Sequence, residues 1–230
     1  MWSAHNSATK IQSIIRMYLL RKTYLTTIQH PLLLTGEIRI TKLPNLDAEL
    51  FEKAWALQPQ VQSSVYHADR GSHPAHRKYM SYGKTPAMAP DAKTYMFSAS
   101  NTVSPSPIPD LFQEIMNHLN REGGQYNQLV VNWYLDGTEY CPFHIDCLTG
   151  MRPKSNVAIV TLVDHCVEGQ RTLVFKPTSR VSSTRLSIPT THGQCVVFGG
   201  SALTHWRHGI PKTSHNVPRR ISLSFRSYEK

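Results

Sequence analysis

A chain of 230 residues with 40% hydrophobic and 17% charged residues has the composition of an ordinary globular domain and can bury a substantial core. Lys and Arg number 25 against 15 Asp and Glu, a net charge of +10 that favours polyanions such as nucleic acid. No apolar run approaches a membrane span, and the start Met-Trp-Ser-Ala-His-Asn lacks the basic-then-apolar pattern of a secretory signal. The expectation is an intracellular protein of cytoplasm or nucleus, not secreted and without membrane association. Cys141, Cys147, Cys166 and Cys195 have no C-x-x-C spacing and are expected as reduced thiols rather than zinc ligands.

Residues 8–28 have the pattern of an amphipathic basic helix. Ile11, Ile14, Ile15, Tyr18, Leu19 and Leu25 recur near helical spacing, with Lys10, Arg16, Arg21 and Lys22 between them. The run from Ile11 to Arg21 resembles the IQ motif bound by calmodulin-like EF-hand proteins, with Met17 where Gly is usual. The alternative is a helix docking its apolar face on its own domain. Domain boundaries are therefore expected at 1–30 for this appendage and 31–230 for the remainder.

Residues 36–42 alternate as a strand, and Asp47 is a plausible N-cap for a helix through Leu50, Phe51, Ala54 and Trp55. Residues 62–94 are polar and read as loops, with Tyr66, Tyr79 and Tyr82 interleaved among basic residues. That mixture suits nucleic-acid contact through phosphate-binding cations and stacking rings; a solvated loop region is the alternative. His67, His73 and His76 lack persuasive metal spacing. Tyr95 and Phe97 share one face of a short strand at 94–98. A Pro-rich connector leads to a helix from Asp110 to Arg121, with Leu111, Phe112, Ile115, Met116 and Leu119 as its apolar side and Gly123-Gly124 as its stop. Strands are expected at 129–135, 157–163, 171–176, 185–188, 193–198 and 220–227. Short strands after a front part of mixed helix and strand (31–127) predict an α+β fold, a double-stranded β-helix or jelly-roll core over 128–230 backed by helices.

His144 and Asp146 stand two positions apart, a spacing that puts both on one face of a strand. A metal needs a third ligand, and His205 and His208 both follow downstream. Two His and one carboxylate make the facial triad of non-haem Fe(II) oxygenases. In the final strand Arg220, Ser222, Ser224 and Arg226 share one face while Ile221, Leu223 and Phe225 share the other. Buried Arg is rarely tolerated without a carboxylate partner. Asn132 and Tyr134 share a face of an earlier strand. A cavity with two Arg, an amide and a phenol beside the triad fits iron and a small dicarboxylate, 2-oxoglutarate; structural carboxylates or phosphate are the alternative for the Arg pair.

From about Arg77 to Arg226 the chain resembles the AlkB family of Fe(II)/2-oxoglutarate dioxygenases, the nucleic-acid dealkylases. The matching pieces, in family order, include Arg77-Lys78-x-x-x-Tyr82-Gly83, Tyr95-x-Phe97-Ser98, Asn132-x-Tyr134-x-x-Gly137 and His144-x-Asp146. They continue with Arg171-Thr-Leu-Val-Phe175, His192-Gly193, His205-Trp-Arg-His208-x-x-Pro211 and Arg220-Ile-Ser-Leu-Ser-Phe225-Arg226. The resemblance implies His208 as third ligand, with His205 nearby or structural. It implies Arg220 on the distal carboxylate of 2-oxoglutarate, Arg226 toward its iron-chelating end, and Asn132, Tyr134 and Ser222 beside it. It implies substrate contacts from Phe97, Tyr95, Tyr82 and Arg77, with the base stacked between Phe97 and His144; core filling is the alternative for Phe97. The implied reaction consumes O₂ and 2-oxoglutarate, releases succinate and CO₂, and frees an N-methyl group from DNA or RNA as formaldehyde. The same chemistry on a protein side chain, or a non-catalytic nucleic-acid or calmodulin-binding module, are the rival functions. Leu148 stands where dealkylases of the family commonly carry an acidic residue, and Ser222 where an Asn is frequent. The stretch 151–154 offers a different substrate wall.

Overall fold

The structure is a computed structural model describing residues 32, 37–44, 46–61, 64–67, 71–83, 106–164, 169–179 and 184–229, with backbone alone at 64–67 and 71–74. The basic helix expected at 8–28 and the strand expected at 94–98 lie outside them. The chain divides into two compact units, Met1–Glu37 and Ile38–Lys230; the elements below belong to the second. In chain order they are β1 (Ile38–Lys42), α1 (Ala48–Ala56), β2 (Ser64–His67), β3 (Gly71–Pro74), β4 (Lys78–Gly83), α2 (Asp110–Arg121), β5 (Gln128–Tyr134), β6 (Cys141–His144), β7 (Val157–Val163), β8 (Arg171–Pro177), β9 (Leu186–Thr190), β10 (Gln194–Phe198), α3 (Ser201–Thr204), β11 (Trp206–Ile210) and β12 (Arg220–Arg226).

A six-stranded sheet runs β1-β10-β7-β12-β5-β4 and a four-stranded sheet runs β6-β11-β8-β9. Pairings within both are antiparallel. From β5 to β12 the chain passes repeatedly from the larger sheet to the smaller and back, which is the wrap of a jelly roll. The strands β1 and β4, from the front part of the chain, form the two edges of the larger sheet. Three strands, β2, β3 and β4, occupy the region expected as loops at 62–94.

Register explains which side chains face the cavity between the sheets. Arg220, Ser222, Ser224 and Arg226 of β12 stand opposite Tyr134, Asn132, Val130 and Gln128 of β5. Directly opposed residues of antiparallel strands share a face, so this whole set points toward the smaller sheet. The other parity, Ile221, Leu223 and Phe225 with Trp133, Val131 and Leu129, enters a core with Phe51, Ala54, Phe112, Ile115, Met116 and Leu119 from the helices. Each such fully buried apolar side chain contributes about 1.5–3 kcal/mol of transfer free energy.

The helices form where the local chemistry predicts. Asp47 is extended and its side chain accepts from Leu50 N at 2.9 Å, capping α1. The buried residues of α2 fall at 112, 115, 116 and 119, one face of a helix. Trp133 Nε1 donates to the Ala54 carbonyl at 2.9 Å, pinning α1 to the larger sheet. Among the described residues no helix is long and apolar enough to cross a membrane.

Candidate functional site

His144 ends β6, Asp146 follows in coil, and His208 lies in β11, opposite His144 in the strand pairing. The strand stops before Asp146, so the carboxylate reaches the site by the loop's path and not by the strand parity expected from sequence. The two rings have centroids 4.4 Å apart. One ligand atom from each of the three residues lies within 4.8 Å of the others. Asp146 Oδ1 is 3.7 Å from His144 Nε2, and Oδ2 is 3.9 Å from His208 Nε2. His144 Nδ1 lies 2.9 Å from the Pro142 carbonyl. An N–H donated there fixes the tautomer and turns a bare Nε2 toward Asp146.

Electrostatics suit a cation at this point. Burial alone would push the Asp146 carboxyl up, but the Arg226 guanidinium beside it outweighs this and holds the group well below the usual carboxylate range. Burial, with the His144 charge, pushes His208 down to about 3 against the opposing pull of Asp146, so it is a neutral imidazole at pH 7. Burial also disfavours charge on His144, but Cys141 and Asp146 raise it on balance. Asp146 accepts from Arg226 Nη2 at 2.6 Å through Oδ1, while Oδ2 is buried and accepts no hydrogen bond. A buried bare carboxylate oxygen beside two imidazoles is an incomplete arrangement in the absence of a cation. The donor set, two imidazole nitrogens and one carboxylate, fits Fe(II).

The neighbouring cavity, about 390 Å³ when the space open to solvent is counted, is lined by Asn132, Tyr134, Cys141, His144, His208, Arg220, Ser222 and Arg226 among others. Arg220 is 1% exposed. Its Nε and Nη2 donate to Thr190 Oγ1 and Thr161 Oγ1, each at 3.2 Å, and its Nη1 donates to nothing. Burial among neutral partners pushes the guanidinium down to about 10. A buried guanidinium with one side unsatisfied and no carboxylate beside it among the described residues fits an incoming carboxylate. Arg220, Arg171 and Arg77 stand 5.2, 5.5 and 6.0 Å from the ring centre of Tyr134. Burial nonetheless pushes the Tyr134 phenol up to about 12, outweighing these cations, so it remains a hydroxyl. Arg171 donates to the carbonyls of Asp136, Glu139 and Pro211, tying the turn after β5 to the chain after β11.

The structure thus brings together His144, Asp146, His208, Asn132, Tyr134, Arg220, Ser222 and Arg226. Tyr82 it does not. Tyr82 opposes Leu129 on the helix-facing side of the larger sheet and packs on Phe112 at 6.2 Å. Arg77 is buried and donates from Nε to Asn132 Oδ1 at 2.8 Å. His205 is exposed at the end of α3, with Nδ1 2.8 Å from Thr204 Oγ1, and takes no part beside the triad. Leu148 is 39% exposed in the loop after Asp146. Arg152, from the expected substrate wall, is committed to the Tyr228 carbonyl and Gln125. Tyr95 and Phe97 lie outside the described residues. Cys141, Thr161 and Thr190 belong to the site and were not anticipated. Thr161 was within reach, because it occupies the cavity-facing parity of β7 opposite Ser222. Cys141 sits 3.7 Å from His144 Nδ1; burial opposes its ionisation, but Arg77 and His144 bring the thiol down to about 7.

A family model described as 2OG-Fe(II) oxygenase superfamily matches residues 43–226. Another, the IQ calmodulin-binding motif, matches residues 5–25, outside the described structure. The human protein DNA oxidative demethylase ALKBH2 is 30% identical over 163 residues, which cover 67% of this chain and 57% of that protein. The rat alpha-ketoglutarate-dependent dioxygenase alkB homolog 3 is 23% identical over 205 residues, 84% of this chain and 65% of the relative. The chain therefore spans less than two thirds of the length of these relatives. Among solved structures, "The structure of OsALKBH1" superposes with a TM-score of 0.54 at 14% identity, covering 83% of this chain and 98% of that one.

Proposed function

The chain belongs to the 2OG-Fe(II) oxygenase superfamily, and from that premise we propose that it removes alkyl groups oxidatively from bases in DNA or RNA. The observation that carries the chemistry is a pair of unsatisfied buried atoms: Asp146 Oδ2, beside the cavity-lining His144 and His208, and Nη1 of the cavity-lining Arg220. The first wants a cation and the second an anion. His144, Asp146 and His208 would hold Fe(II), which with 2-oxoglutarate and O₂ supplies the oxidising power. Arg220, steadied by Thr161 and Thr190, would bind the distal carboxylate of 2-oxoglutarate. Asn132, Tyr134 and Ser222 would hydrogen-bond along the co-substrate, and Arg226 would hold Asp146 in its ligating position. Burial of Asp146, His208, Arg220 and Arg226 keeps each of these interactions strong.

Nucleic acid as substrate is supported by the net charge of +10 and by the relationship to a DNA oxidative demethylase. Exposed Leu148, in the loop after Asp146, offers no acceptor to a base, so base preference is governed by other contacts. Residues 1–30 act in this reading as an appendage that binds a calmodulin-like EF-hand protein, and 31–230 form the dioxygenase domain. The decisive experiment follows succinate and formaldehyde with Fe(II), ascorbate and a panel of methylated oligonucleotides, single- and double-stranded. Both products in equal amounts support the proposal. Succinate without formaldehyde on any oligonucleotide moves the substrate to another class, such as a protein side chain. Neither product leaves a binding module. Capture of calmodulin by residues 1–30, with and without Ca²⁺, tests the appendage.

A further inference from the structure

Arg77 lies at the end of the chain segment that enters β4 and is 1% exposed. Its Nε donates to Asn132 Oδ1 at 2.8 Å, and its guanidinium carbon stands 5.9 and 6.0 Å from the ring centres of Tyr79 and Tyr134. Asn132 lines the cavity and opposes Ser222 of β12. An Asn amide has two chemically opposite ends, an acceptor oxygen and a donor NH₂. Arg has donors alone and no acceptor, so the end of the amide facing Arg77 must be the oxygen; the reverse would set donor against donor. The NH₂ is left as the end available to a ligand.

We propose that Arg77 is a positioning residue for the co-substrate. By holding Asn132 Oδ1, it commits the amide to presenting N–H donors, which suit the oxygens of a keto acid. This rests on the co-substrate being 2-oxoglutarate, as argued above. An amide free to turn would present its oxygen part of the time, and that oxygen repels a carboxylate or keto oxygen. Arg77 thereby contributes to selection of an acceptor-rich, anionic ligand without touching it. This places it behind the co-substrate pocket and not in the path of a nucleic-acid substrate.

The test is a double-mutant cycle on the full chain loaded with Mn(II), reading 2-oxoglutarate affinity by calorimetry and, with Fe(II), KM and kcat for 2-oxoglutarate. Loss of one oriented hydrogen bond predicts about tenfold weaker binding for Arg77→Met, with kcat changed less than about twofold. In an Asn132→Ala background the same substitution should change affinity less than about twofold, because Arg77 acts through that amide. Arg77→Lys keeps an N–H donor and should recover part of the affinity; it also carries the cycle if the Met variant fails to fold. Equal losses in both backgrounds, or a fall in kcat with KM unchanged, overturn the proposal. A wild-type protein that does not bind 2-oxoglutarate overturns the proposed function, and this inference with it. Unchanged affinity in Arg77→Met overturns this inference alone.

Discussion

Asp146 and Arg226 form a buried ion pair, Nη2 to Oδ1 at 2.6 Å, between the loop after β6 and the last residue of β12. Oδ1 is thereby shared between the larger sheet and the side facing His144, while Oδ2 is left bare beside His208. Asp146→Asn keeps the shape but loses the anionic ligand. Mn(II) affinity should fall by more than about 100-fold, since even the outer partners of metal ligands are worth about 10–100-fold. Calorimetric Mn(II) titration checks this, and a variant that binds Mn(II) as tightly as the parent would remove Asp146 from the centre. Asp146→Ala should also cost roughly 3–5 kcal/mol of stability, because Arg226 is then buried without its counter-charge.

Arg220 separates stability from binding. Its guanidinium is buried against two threonine hydroxyls and one phenol, with no carboxylate beside it among the described residues. Arg220→Met should weaken 2-oxoglutarate binding by about 100-fold or more while leaving Mn(II) affinity within about threefold. The same variant should melt no lower than the parent in the absence of co-substrate, since a buried unpaired charge is removed. Addition of 2-oxoglutarate should raise the melting temperature of the parent and not of the variant. Equal thermal shifts in both would mean that the co-substrate carboxylate sits elsewhere.

Gly209 follows the ligand His208 at an irregularity in the β11–β6 pairing. A Cβ there would lie 2.8 Å from the Cys141 carbonyl oxygen and 3.2 Å from the Phe143 backbone. None of these backbone atoms can swing aside, so Gly209→Ala should part β11 from β6 at the point where His208 faces His144. We expect a folded protein, destabilised by about 1–3 kcal/mol, with at least about tenfold weaker Mn(II) binding. Denaturant midpoints and metal titration of the one variant check both outcomes.

Tyr126 makes stability fall at alkaline pH. Burial pushes its phenol up to about 12, so the folded state keeps the proton after the unfolded chain, near pH 10, has released it. Its contribution is fully present below pH 10 and is lost as pH rises toward 12, on the order of 2 kcal/mol. Tyr134 is shifted the same way but titrates beside Arg220, whose lowered value acts in the opposite sense over the same range. Chemical denaturation at pH 9 and pH 11 should show a smaller loss for Tyr126→Phe than for the parent. Equal losses would assign the alkaline sensitivity to another group.

The legible parts of the sequence were those where alternation or helical spacing ran unbroken. In β12 polar and apolar residues alternate without a fault, which marks the cavity face from the sequence alone. Asp47 and the apolar spacing of 112, 115, 116 and 119 mark α1 and α2 as they stand. The strands that carry the ligands were hidden. β6 has four residues and a Pro, and β11 contains Gly209, so neither offers a pattern long enough to recognise. β4 was hidden for another reason: it carries Lys78, Met80 and Tyr82 on one face and Tyr79 and Ser81 on the other, and its mixed polarity looks like loop. Without the β4–β5 register, nothing in the sequence distinguishes the face of β4 toward the helices, where Tyr82 lies, from the face toward the cavity.

The three ligand residues belong to the smaller sheet and its connecting loop, while Arg220 and Asn132 belong to the larger one. A molecule held at both ends therefore acts as a rivet through the sandwich. Its occupancy should slow hydrogen exchange in β11 and β12 together, although the strands share no hydrogen bond. By reciprocity, a substitution that loosens the packing of α2 on the outer face of the larger sheet should release the co-substrate more readily, from a place it never touches.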